Sequence, residues 1–269
     1  MVIEERRKQV EELFQKYTGE SERNWIEQLL EKVQLVLQQG GSYVSPFLEP
    51  RKKKAAEDVL SYFTEIKYYL YGGFPGAQKV QLGLWPAAVA SAAPDVTPGV
   101  FLIKGPLREY ELGEREIKGA LVDAGLFRED IGDFIWTGEG VQVLVVKERA
   151  PRVKELASVG MVKVQVEEKD VNELQVPHSS VKEISGTVAS LRLDSIMSLG
   201  YGISRSKASS MIKSGSVLVN YRKEGSPSYK VNRGDSISMA SQGNTLEVVD
   251  LRGESRKGRQ RVDLKKIIN

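Results

Sequence analysis

Apolar and polar residues alternate with two different periods along this 269-residue chain. The first stretch is helical. Val10, Leu13, Phe14 and Tyr17 recur at three- and four-residue intervals, as do Ile26, Leu29, Leu30, Val33 and Leu37. That spacing places side chains on one face of an α-helix. Gly40-Gly41 ends the second helix. Pro50, suited to a first helical position, opens a third that turns Val59, Leu60 and Phe63 inward. From residue 65 the period shortens. Ile66, Tyr68 and Leu70 alternate with Lys67, Tyr69 and Tyr71, and after Gly72-Gly73-Phe74-Pro75-Gly76 the residues Val80, Leu82 and Leu84 alternate with Lys79, Gln81 and Trp85. The pattern predicts a hairpin with one apolar face. Strands over 100–103, 133–136, 141–146 and 163–167, with helices over 114–124 and 151–159, then follow the order β-α-β-β-α-β, the split βαβ arrangement.

Residues 170–186 are polar, contain Pro177, and read as a linker. The helical period then returns. Leu193, Ile196 and Met197 share one face, with Gly200 as the expected stop. Ser204 suits an N-cap. Ala208, Met211 and Ile212 form the stripe of the next helix, and Gly215 closes it. Strands are expected over 217–220, 236–239 and 246–251. Over 261–265, Val262 and Leu264 alternate with charged positions, two of them basic, which fits a last strand or a basic tail. The expected fold class is α+β. An N-terminal helical segment (1–64) is followed by an RRM-like domain (65–172), a small two-helix domain on a sheet (181–252) and a basic end (253–269).

No apolar run approaches the roughly 18 residues needed to span a bilayer, so membrane insertion is not expected. The mixed charges of residues 4–12 fit neither a secretory signal nor a transit peptide, although a transit peptide already removed would leave no trace. The expected location is the cytoplasm, or the plastid stroma in that second case. The chain has no cysteine, which excludes disulfides and thiolate chemistry. Net charge is +3, unevenly spread. Residues 179–269 hold 16 Lys and Arg against 8 Asp and Glu, whereas residues 1–178 hold 23 against 28. A basic end on a mildly acidic body is the footprint of a polyanion binder.

One ordered set is specific. Arg192-Leu193-Asp194, Ser204-Arg205-Ser206-Lys207-Ala208, Ile212, Gly215, Val217, Val219-Asn220, Val231, Gly234-Asp235 and Ile237 together resemble the S-four domain, the small RNA-binding fold named for the fourth protein of the small ribosomal subunit. The resemblance implies an RNA face on Arg192, Ser204, Arg205, Ser206, Lys207, Lys213 and Asn220. Charge and position add Arg222, Lys223 and Lys230. A capped helix start favours anions, and the planar fork of Arg205 can grip a phosphate at two points. Pro46-Phe47-Leu48-Glu49-Pro50-Arg51, Gly72-Gly73-Phe74-Pro75-Gly76-Ala77 and Ile131-Gly132-Asp133 further resemble the YlmH-type proteins, whose version in oxygenic phototrophs is called the photosystem II S-four domain protein. Where that family usually has Gly-Ala-Glu-Arg, this chain has Gly76-Ala77-Gln78-Lys79. The likeness implies binding to ribosomal RNA, to large ribosomal subunits or to stalled peptidyl-tRNA, without a cofactor. Two rivals stand beside it, an RNA-modifying enzyme that uses the module as a tether and an assembly factor with a protein partner, as in photosystem biogenesis, and the oligomeric state stays open.

Other constellations weigh less. Arg192-Leu193-Asp194 echoes the catalytic triplet of pseudouridine synthases, but the following Ser195-Ile196-Met197-Ser198 departs from their pattern. Asp194 is therefore expected to brace its helix or orient Arg192, and the protein to be non-catalytic. His178 is expected in an exposed linker. Glu129, Asp130 and Asp133 match no metal loop and suit capping and turn formation. Arg51, Lys52, Lys53 and Lys54 crowd a helix start, solvated or paired as Lys53–Glu57 and Lys54–Asp58. They form a candidate second RNA contact with Lys67, Tyr69, Tyr71 and Lys79, where tyrosines on an outward strand face could stack on bases.

Overall fold

The N-terminal stripes pack as three helices, α1 (Arg7–Lys16), α2 (Glu20–Gln39) and α3 (Pro50–Leu60), the last with proline in its first turn. The computed structural model describes residues 7–17, 19–176, 180–239, 242–255 and 258–268. The chain divides into two units, residues 1–176 and 177–269. Among the described residues no helix is long and apolar enough to cross a membrane.

In the first unit, β1 (Tyr43–Val44), β2 (Ile66–Tyr71) and β3 (Gln81–Pro86) form an antiparallel sheet ordered β1-β3-β2. Ile66, Leu82 and Leu84 join Leu13, Ile26, Val33 and Val59 in one core. The hairpin that the sequence groups with the following domain therefore shares its core with the N-terminal helices, because its apolar face meets their stripes. The alternation is imperfect: Tyr68, on the nominally apolar face, is exposed.

The split βαβ order is present. β4 (Gly99–Lys104), α4 (Glu114–Asp123), β5 (Ile131–Trp136), β6 (Val141–Val145), α5 (Ala150–Lys154) and, after a small ribbon of β7 (Ser158–Val159) and β8 (Val162–Lys163), β9 (Gln165–Lys169) give an antiparallel sheet ordered β5-β6-β4-β9. The helix expected over 151–159 stops at Lys154, because the chain reverses at Gly160, at φ +57°, to pair Ser158 with Lys163. One sheet face presents Phe101, Ile103, Val141 and Val143 to Ile117, Leu121 and Val153. The other presents Val100, Ile135 and Leu144, and it too is covered, by Phe47, Phe74, Val171, Leu174 and Val176. Gln142 clamps that cover, its Nε2 donating to the Glu173 carbonyl at 3.4 Å and its Oε1 accepting the Gln175 N–H at 2.9 Å. Residues 171–176, expected in a linker, thus close the surface on which an RRM sheet stacks bases.

The second unit is built on six antiparallel strands. β10 (Ser180–Val188) precedes the helices α6 (Leu193–Tyr201) and α7 (Arg205–Lys213). After them come β11 (Val217–Val219), β12 (Arg222–Lys223), β13 (Ser236–Met239), β14 (Gln242–Glu254) and β15 (Gln260–Ile268). Their order is β10-β15-β14-β13-β11-β12. Leu193, Ile196, Met197, Ala208 and Ile212 pack on Val217, Ile237, Leu246, Val248, Val262 and Leu264. Two expectations change. The linker extends no further than the start of β10, whose inward Ile184 and Val188 reach the core between exposed polar residues. The basic end is a strand seated between β10 and β14. Gly200 does not stop α6. It lies inside the helix, where an added Cβ would sit 2.4 Å from Leu246, and Gly202, at φ +68°, is the left-handed cap. His178 falls outside the described residues.

Candidate nucleic-acid interface

The second unit brings two of its cationic candidates, Arg192 and Arg205, onto one buried carboxylate. Asp194 lies in the first turn of α6 with its side chain 7% exposed. Arg192, immediately before the helix, donates from Nε and Nη2 to Asp194 at 3.3 and 3.0 Å. Arg205, at the first position of α7, donates from Nη2 to both Asp194 oxygens at 3.1 Å. Ser195 Oγ lies 3.1 Å from the same carboxylate. Burial alone raises the Asp194 carboxyl, but hydrogen bonds from Arg192, Arg205 and Ser195 outweigh it and the net shift is downward. The acid therefore stays ionised and holds two guanidinium groups side by side. Those groups remain 40% and 52% exposed. Only Nη2 of Arg205 is engaged among the described residues, which leaves Nε and Nη1 of its fork for an anion.

The start of α7 lies beside them. Ser204 is extended at φ −66°, ψ 149°, and its Oγ accepts the Lys207 N–H at 3.2 Å while lying 3.0 Å from Ser206 Oγ. The cap is thus made, and the neighbouring N–H groups and helix dipole favour negative charge there. Lys230 joins the group through a bridge to Arg192, with Val231 donating to the Leu191 carbonyl at 2.8 Å. Ser206, Lys207, Lys213, Arg222, Lys223 and Lys230 are all exposed, Arg222 and Lys223 on the edge strand β12.

Asn220 has a different task from the one expected. It and Tyr221 occupy left-handed conformations, φ +50° and +62°, in the turn between β11 and β12. Its Nδ2 donates to Asp235 at 2.8 Å, and its Oδ1 accepts the Ser236 N–H at 3.0 Å. Both ends of the amide are committed to the fold, so the turn positions Arg222 and Lys223. Asp235, buried, also accepts the Asn232 N–H at 2.8 Å. Sequence reading missed this hub and the double use of Asp194. The only available signal was an acid recurring beside each set of basic residues.

The second candidate set does not converge. Arg51 pairs with Glu22, and Lys54 with Asp58 at 3.4 Å. No Lys53–Glu57 ion pair forms among the described residues, and Lys52 is exposed. Lys67 and Tyr69 are exposed on β2, where Tyr69 stacks on Tyr71 at 5.8 Å and Tyr71 donates to the Gly73 carbonyl at 2.8 Å. That strand belongs to the helix-packed sheet, not to the RRM-like one. Lys79 is turned inward. Its Nζ donates to the carbonyls of Ile131 and Gly132 at 3.0 and 3.1 Å, and burial, with Lys118 nearby, lowers its pKa. An ammonium committed to two carbonyls is a brace, so Lys79 leaves the RNA-contact list. Asp133 accepts the Gln78 and Lys79 N–H groups, and Asp130 accepts that of Phe127. Among the described residues no group of three His, Cys, Asp or Glu is placed to hold a metal ion.

The S4 domain family model matches residues 191–237, the span that carries the Asp194 cluster. A second model, described as "Putative RNA-binding domain in YlmH", matches residues 94–173. The chain is therefore similar to YlmH-type proteins in both regions. It is 28% identical over 242 residues to "Ribosome-associated protein quality control protein P2" of Bacillus subtilis, covering 90% of this chain and 93% of that one. It is 32% identical over 100 residues to "Small ribosomal subunit protein uS4" of Thermus thermophilus, a match over 35% of this chain and 48% of the ribosomal protein. The solved "Cell division protein ylmH from Streptococcus pneumoniae" superposes with a TM-score of 0.50 at 16% identity, over 59% of this chain and 96% of that one. That likeness is one of fold.

Proposed function

We propose that this protein is a non-catalytic, ribosome-associated RNA-binding protein. Its S4 domain docks on structured RNA, either large-subunit ribosomal RNA or the peptidyl-tRNA of stalled complexes. The observation that carries the reading is the pair of half-exposed guanidiniums, Arg192 and Arg205, fixed on buried Asp194 beside the capped start of α7. Two such groups can engage phosphate oxygens with little rotamer entropy left to lose. The match of 93% of the Bacillus subtilis ribosome-associated protein supports the ribosomal setting. Lys207 lies in the same first turn of α7, and Lys213, Lys223 and Lys230 add exposed positive charge elsewhere on the unit.

If four to six of these cations meet phosphates, the logarithm of affinity falls with the logarithm of salt at a slope of about −3 to −5. Fluorescence anisotropy with purified large-subunit ribosomal RNA measures that slope. Arg205→Glu is expected to weaken binding at least about tenfold, because it removes one charge-assisted contact and adds repulsion. A flat salt response, or wild-type binding by a folded Arg205→Glu protein, refutes the reading.

A further inference from the structure

Three strands of the second unit lie largely or wholly outside the residues that match the S4 domain: β10, β14 and β15. Their inward residues, Ile184, Val188, Leu246, Val248, Val262 and Leu264, pack under the helices. Alternation then fixes what the opposite face carries. Arg261 pairs in register with Thr187, and Asp263 with Ser185 and Asp250, all on the side away from α6 and α7.

On that face four arginines form a belt. Arg233 donates from Nε to the Val249 carbonyl at 3.1 Å and lies 3.9 Å from Asp250. Arg252 lies 3.9 Å from Asp250 and pairs closely with Asp263, which also accepts the Ser185 hydroxyl at 2.7 Å. Arg259 is pinned to Thr187, donating from Nε to Oγ1 at 3.1 Å and from Nη2 to the carbonyl at 2.9 Å. Arg261 is exposed and has no partner among the described residues. The two aspartates sit lower than the cations they hold: Asp263 is 16% and Asp250 41% exposed, against 63% for Arg252 and 74% for Arg233. The acids thus orient the belt without covering it. Residues 252–261 hold five Lys and Arg and one acid.

We infer that this arginine belt on the outer face of β14 and β15 is a second RNA-phosphate site, which takes a different stretch of the RNA from the one at Arg192 and Arg205. The inference rests on the RNA-binding reading above and adds a surface to it. Guanidiniums already oriented by carboxylates suit phosphate, because their planar forks lose less freedom on binding than mobile lysines do. The two sites are continuous through one short segment. Lys230 bridges to Arg192 on the helix side, and three residues later Arg233 reaches the belt. RNA held at both would wrap the edge of the sheet.

The test uses the full chain and purified large-subunit ribosomal RNA, comparing wild type, Arg205→Glu, Arg261→Glu, the combination Arg205→Glu/Arg261→Glu and the double variant Arg259→Glu/Arg261→Glu. Arg261→Glu breaks no contact among the described residues, so it probes the belt even where the double variant unfolds. The expected result is an affinity loss of about threefold to tenfold for Arg261→Glu, with the salt slope reduced by about one. A further loss is expected on combination with Arg205→Glu. Wild-type affinity and an unchanged slope for Arg261→Glu, while Arg205→Glu still weakens binding, overturn the belt and leave the helix site standing. Failure of the wild-type protein to bind the RNA at all overturns both. Loss of binding to phosphatidylglycerol vesicles by Arg261→Glu with RNA affinity unchanged overturns the belt as an RNA site.

Discussion

Replacing Asp194 by Asn keeps the shape of the side chain but removes the charge that holds two arginines. The structure sets the size of the effect. The carboxylate is 7% exposed while its partners are 40% and 52% exposed. Each pair is therefore partly screened and worth about 0.5–1 kcal/mol, well below the roughly 3–5 kcal/mol lost when a fully buried pair is broken. Two pairs give about 1–2 kcal/mol, and each kcal/mol lowers the unfolding midpoint of a unit this size by about 4–8 °C. Loss of orientation at Arg192 and Arg205 should also weaken RNA binding by about fivefold, equivalent to about 1 kcal/mol. The sign of the pH dependence follows from the downward shift at Asp194. Its stabilising contribution is complete above the ordinary aspartate value of about 3.9 and is lost as pH falls through the lower folded value. Thermal unfolding of wild type and Asp194→Asn, followed by near-UV circular dichroism, should therefore show a gap at neutral pH that narrows on acidification below the ordinary aspartate range. Equal midpoints and equal RNA affinities at neutral pH, or a gap of constant width on acidification, refute the account.

Three further outcomes follow from the geometry. Asn220→Ala loses two side-chain hydrogen bonds and leaves alanine at a φ of +50°. It should cost about 1–3 kcal/mol in urea unfolding, and Asn220→Gly, which removes the backbone strain, should cost less. Gly132→Ala places a methyl 2.7 Å from the Phe47 ring, an overpacking expected to cost about 1–3 kcal/mol; an unchanged melting temperature contradicts it. Lys79→Met leaves the Ile131 and Gly132 carbonyls without the ammonium and should destabilise by about 1–2 kcal/mol with RNA affinity unchanged, whereas an affinity loss in the folded variant restores Lys79 to the RNA face.

Where one rule governed a segment, the sequence was a good guide. The stripes of α2 and α7, the Ser204 cap and the β-α-β-β-α-β order depend on local spacing, and each is present. β10 escaped because its outward face is largely polar and carries an exposed Val181, while only Ile184 and Val188 pack inward. The closed second face of the RRM-like sheet was out of reach for another reason. Phe47, Phe74 and Leu174 come from loops far apart in sequence, and no periodicity marks a loop as a lid. Among the candidate site residues, the exposed placement of Arg205 and Lys207 in the first turn of α7 was legible from type and position alone. Lys79 and Asn220 were misread because a polar side chain can serve solvent, ligand or its own backbone, and only the neighbours decide which.

The pairing of β10 with β15 has a kinetic consequence. Ser180 lies opposite Ile268, so the first strand of the second unit finds its neighbour in the sheet only after nearly ninety intervening residues have been made. During synthesis the two helices can form early, but β10 must wait unpaired while the rest emerges. Closing so long a loop is slow, and until it closes the exposed strand edge is open to wrong partners. A nascent chain interrupted before β15 would hold α6 and α7 over an unfinished sheet.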